Sequence, residues 1–142
     1  MHMIQVIAGN KGSGKTKRLI DIANDALKSE HGLVVFVDDD KRYMYDLRHE
    51  IRFVDAGEYQ GVRGATADVF LGFLSGMLAV NYDITLVCVD AFRKLIKSTP
   101  LEETEGFFAR LNALGENSNV RFVLNVSCDI EELPAFIKQY VI

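Results

Sequence analysis

The residues with the most explicit chemistry are Gly9-Asn10-Lys11-Gly12-Ser13-Gly14-Lys15-Thr16, which satisfy the pattern G-x-x-x-x-G-K-[ST] in full. Glycines at 12 and 14 let the backbone curl until successive N–H groups point inward at phosphate oxygens. A helix opening near Lys15 adds the positive end of its dipole. In that setting Lys15 reaches the β- and γ-phosphates of a nucleotide, and the Thr16 hydroxyl takes one position on Mg2+. The competing reading is a chance glycine turn. Placement between an apolar strand and a helical repeat argues against it.

A second element is Asp90, which closes the apolar run Ile84-Thr85-Leu86-Val87-Cys88-Val89. With the glycine motif it resembles the P-loop NTPase superfamily, over most of the chain. The resemblance implies that Asp90 is the Walker B acid, which holds Mg2+ through water. Many ATPases of that superfamily carry a catalytic Glu directly after this acid, and here Ala91 stands there. RecA-like ATPases instead use a carboxylate at the end of the strand after the first helix. Phe36-Val37-Asp38-Asp39-Asp40 is similar to that arrangement, and the resemblance implies Asp40 as the catalytic carboxylate, one methylene shorter than the family's Glu. A solvated acidic turn, with Asp38 or Asp39 capping a helix, is the other reading of the triplet.

The same RecA-like resemblance implies a polar γ-phosphate sensor at the end of the fourth strand, with Asn125 and Ser127 as candidates. Asn125 interrupts an apolar run, so it needs a hydrogen-bond partner, functional or simply backbone. Arg63, Arg93, Lys94 and Lys97 are candidates for an arginine finger, in cis or from a neighbouring subunit, or are plain surface cations. His31 and His49 have no metal-like partner spacing and read as surface residues.

Lys11-Gly12-Ser13-Gly14-Lys15-Thr16-Lys17-Arg18-Leu19-Ile20-Asp21 and Asp38-Asp39-Asp40-Lys41-Arg42-Tyr43-Met44-Tyr45-Asp46-Leu47-Arg48 also resemble a group of small standalone bacterial ATP-binding proteins. These are often labelled twitching-motility retraction ATPases. Such motors are much longer, with an N-terminal domain and with acidic and histidine boxes that have no counterpart in this sequence. The resemblance therefore implies nucleotide binding and not a motor.

The elements that must position these residues alternate strand and helix. Strand-like runs are 3–8, 33–37, 51–54, 84–89 and 120–126; helical spacing covers 17–29, 65–80 and about 101–116. The segment 38–50 has room for a short helix, and 57–64 reads as a loop. Helix 65–80 is so apolar that it reads as buried, with Gly72 and Gly76 allowing close packing on one side. Asp129 caps a last helix that has Pro134 near its first turn. Continuously apolar strands suit a sheet covered on both faces. The expected fold is α/β, a three-layer sandwich around a mainly parallel sheet of the P-loop NTPase type, as a single domain over 1–142.

Composition narrows the partners. With 142 residues, 49% apolar, the chain can bury a real core without disulfides or metal. Its 16 basic and 20 acidic residues give a net charge of −4, which disfavours nucleic acid as a partner. No run is long enough to span a bilayer, and the start lacks a signal peptide. Cys88 and Cys128 form no metal or redox spacing and read as free thiols, so the expected location is cytoplasmic.

The expectation is an Mg2+-dependent ATP-binding protein, a minimal RecA-like ATPase. The absence of an N/T-K-x-D motif favours ATP over GTP. A homo-oligomer or a protein partner is open to the chain, and one alternative is a nucleotide-binding switch or partner module with little turnover. A small-molecule kinase, with Asp38 or Asp40 on the acceptor hydroxyl, is a further alternative.

Overall fold

The computed structural model describes residues 2–142. Five parallel strands form one sheet: β1 (Ile4–Gly9), β2 (Leu33–Asp38), β3 (Arg52–Asp55), β4 (Ile84–Val89) and β5 (Arg121–Ser127). Their spatial order is β1-β5-β4-β2-β3. Helices flank the sheet on both faces, and all but the last lie within the crossovers that parallel strands need, while β2 and β3 are joined through a 3-10 turn alone. The helices are α1 (Lys15–Ala26), α2 (Ala67–Val80), the short α3 (Phe92–Leu95), α4 (Glu105–Ser118) and the short α5 (Ala135–Lys138). The result is the expected α/β three-layer arrangement.

Alternation along each strand divides the core in two. Ile7, Val34, Phe36, Leu86, Cys88 and Val123 face α1, where Leu19, Ile20, Ala23 and Ala26 cover them. Val6, Val35, Val37, Val87, Val89, Phe122 and Leu124 face the larger layer of α2 to α5. That layer is knit by Phe70, Phe92, Phe107 and Phe108, with Phe92 and Phe107 centroids 5.4 Å apart. Truncating one such ring to Ala typically costs about 3–5 kcal/mol.

Register matters most at the carboxyl ends of the strands. Val37 pairs with Val89, Leu124 pairs with Val89, and Ile7 pairs with Asn125. One residue further along, Asp38, Asp90 and Asn125 therefore stand in a row across β2, β4 and β5. By strand parity all three share the α1 face with Phe36, Cys88 and Val123.

Several local expectations need correcting. Gly72 and Gly76 are not packing contacts: a Cβ built at either would meet nothing within 4 Å. Helix α2 is covered on one side only, and Val69 and Val80 on its outer side are 44% and 87% exposed. The helix expected from Leu101 begins at Glu105, after a separate 3-10 turn at Leu101–Glu103. Buried Thr104 turns its hydroxyl to Leu101 O at 2.7 Å and so closes that turn. Segment 38–50 holds only a 3-10 turn at Met44–Asp46. Asp129 caps the turn Ile130–Glu132, and extended Leu133 before Pro134 separates it from α5. Among the described residues no helix is long and apolar enough to cross a membrane.

Candidate functional site

Residues from the carboxyl ends of β1, β2, β4 and β5 surround a cleft of about 930 Å3. Ligand crevices of open α/β sheets lie at this edge.

One wall is the glycine loop 9–16. Gly12 and Gly14 have φ of 85° and 87°, the left-handed region that a side chain would strain. Gly14 is also the N-cap of α1, so no capping side chain satisfies the first N–H groups of that 12-residue helix, and its first turn holds no acid. Helix α2 shows the contrast, since Thr66 accepts from Val69 N at 3.2 Å. Uncapped N–H groups and a positive helix end give this wall the polarity that suits an anion. Lys15 donates to Asn10 O at 3.0 Å within the loop. At Gly9 an added Cβ would lie 2.6 Å from Ser13 Oγ, so that hydroxyl would have to turn away. Asn10, Lys11 and Ser13 are exposed.

The floor carries the opposite sign. Asp90, 6% exposed, accepts from Thr16 Oγ1 at 3.2 and 3.3 Å through its two oxygens. Asn125 Nδ2 donates to Asp90 Oδ1 at 2.9 Å. The partner required by that buried amide is therefore the acidic residue itself. Asp38 completes the row. It is 2% exposed, and its Oδ1 accepts from Asp39 N at 2.7 Å. Burial first, and the neighbouring Asp90 second, push its carboxyl up to about 8. Among the described residues no donor reaches Asp38 Oδ2 or Asn125 Oδ1, although both are buried. With Asp38 ionised each orphan is an acceptor, and a cation or donors from a ligand would satisfy both.

Asp40, singled out in the sequence, stands elsewhere in the same cleft. It is half-buried, its Oδ1 accepts from Arg42 N at 2.9 Å, and its Oδ2 lies 4.0 Å from the Arg42 guanidinium. It closes a local turn, whereas Asp38 faces the floor. Strand parity, with 34, 36 and 38 on one face, is the sequence signal that Asp38 is the member of the triplet turned to the floor.

The acidic loop is held from two sides. Asn24 of α1 donates to Asp46 O at 3.1 Å and accepts from Arg48 N at 2.9 Å. On the far side Arg63 donates to Asp39 O at 2.9 Å, and Lys41 pairs with Glu58. Arg63 braces this loop and does not line the cleft, and Lys97 lines a smaller hollow. Arg93 and Lys94 do line it, and Arg93 donates to Ser127 O at 2.9 Å. Ala91, in the left-handed region at φ 57°, turns the chain sharply from Asp90 into α3. His31 and His49 are exposed. Cys88 and Cys128 are free, and burial pushes the Cys88 thiol up to about 12, so it is unreactive.

No protein-family model matches the chain, and no curated protein sequence matches it.

Proposed function

We propose that the protein binds a nucleoside triphosphate, ATP, with Mg2+, and hydrolyses it as a minimal RecA-like ATPase of the P-loop class. The observation that carries this reading is one cleft in which an uncapped, glycine-built helix N-terminus faces a buried carboxylate row. Polyphosphate and a divalent cation are the pair of charges that would satisfy both walls together.

The residues present fit Mg2+. All are hard oxygen donors, and two buried acceptor oxygens there have no protein donor among the described residues. Thr16 and Asp90 would hold the ion, with Asn125 orienting Asp90. When bound, Mg2+ neutralises charge on the phosphates. The loop N–H groups of 10–16 receive the phosphate oxygens, and Lys15 leaves Asn10 O for the β- and γ-phosphates. Asp38, whose Oδ2 no donor reaches among the described residues, would stand beside the ion as a second carboxylate and orient water there towards the phosphates.

Ala91 supports a second reading, a nucleotide-binding switch with little turnover, because the acid often found after the Mg2+-binding Asp is absent. Phosphate release from ATP by wild type and Lys15→Ala separates the two. Turnover present only in wild type supports the ATPase. Tight ATP binding by wild type with no phosphate release above that of Lys15→Ala supports the switch.

A further inference from the structure

Asp38 and Asp90 stand side by side on neighbouring strands, because Val37 pairs with Val89 and Asp90 N donates to Val37 O at 2.8 Å. Two carboxylates brought together out of water repel each other and lose hydration. Protein donors compensate Asp90 through Thr16 and Asn125, but Asp38 receives only the N–H of Asp39. Beside them Asn125 Oδ1, on an amide that is 2% exposed, is, with Asp38 Oδ2, the second buried acceptor of the site that no protein donor reaches among the described residues. A single hard dication satisfies such a group of oxygens better than separate donors would.

We infer that Asp38 and Asp90, with Thr16 and Asn125, bind a divalent cation before any nucleotide arrives, so that metal is the first ligand to enter. This rests on the proposed site but adds a property to it. In the ordinary scheme the ion arrives on the triphosphate and the protein holds it with one acid. Here a second, in-register acid lets the protein hold it alone. The buried row adjoins the half-buried turn of Asp39 and Asp40, whose carboxylates lie within 4.8 Å of Asp38 but which are not part of that row.

Mn2+ titrated into nucleotide-free protein, followed by electron paramagnetic resonance, tests this. Wild type is expected to bind about one ion, Asp38→Asn and Asp90→Asn to weaken it by about tenfold or more, and Asp40→Asn to leave it unchanged. Mn2+ bound only when ATP is added overturns the inference and leaves the proposed function standing. Loss with Asp40→Asn but not with Asp90→Asn also overturns it, moving the ion to the turn. Failure to bind ATP with or without Mn2+ would instead sink the proposed function.

Discussion

Asn125 Nδ2 donates to Asp90 Oδ1 across 2.9 Å, joining the one polar side chain inside β5 to the acid that ends β4. The contact exists because β5 lies between β1 and β4 in the sheet. It fixes one Asp90 oxygen while Thr16 approaches the same carboxylate from α1. Removing the amide by Asn125→Ala is expected to weaken Mg2+ dependence by about 10–100-fold, as the loss of an outer-shell partner does. ATP binding measured against Mg2+ concentration checks this, with the affinity in EDTA as control. Unchanged Mg2+ dependence would mean the amide only fills space.

Asp38 and Asp40 are two residues apart but differ in surroundings. The first is buried with a free oxygen, the second closes a turn with Arg42. Asp38→Asn is expected to lower ATP turnover by about 10–100-fold, through loss of a buried carboxylate at the ion and its water. Asp40→Asn should stay within a few-fold of wild type. Steady-state phosphate release on both variants decides between them, and the reverse ranking would return the role to Asp40.

Burial and Asp90 raise the Asp38 carboxyl from 3.8 to about 8 in the folded chain. Between those values the folded state holds a proton that the unfolded state releases. Stability from this group is therefore complete below pH 4 or so and lost as pH rises towards 8. Urea unfolding of metal-free protein in EDTA should show wild type losing stability relative to Asp38→Asn across that window. Parallel pH profiles would contradict the buried placement.

Helix glycines offer a test of packing. At Gly72 and Gly76 an added Cβ meets open space, so alanine there should stabilise by about 0.5–1 kcal/mol each through backbone entropy. At Gly115 the Cβ would sit 2.6 Å from Val120 O and 2.7 Å from Met3 Cβ, so alanine should cost about 1–3 kcal/mol. Thermal unfolding of the three variants reads both signs.

The contrast among these residues shows what was legible beforehand. The glycine loop could be read from the sequence because its chemistry is local, eight neighbouring residues between a strand and a helix. Asp90 was visible as the polar end of an apolar strand. Which member of 38–40 faces inward was harder, since it depends on where β2 stops; the alternation of Val34 and Phe36 already pointed to Asp38. Asn125 stood out as a polar break, but its partner depends on strand order, which no local pattern carries. Helix α2 misled for a related reason. With no charge between Asp68 and Asp83 it looks buried, yet the sandwich has no further layer to cover its outer side.

The most direct test of the account is calorimetric titration of Mg2+–ATP into wild type and Lys15→Ala. Saturable one-to-one binding by wild type, weakened by at least tenfold in a variant that keeps its fold, is the predicted result. Equal affinity in the two, or no heat from wild type at millimolar ATP, would contradict the central claim that the loop 9–16 is a triphosphate site.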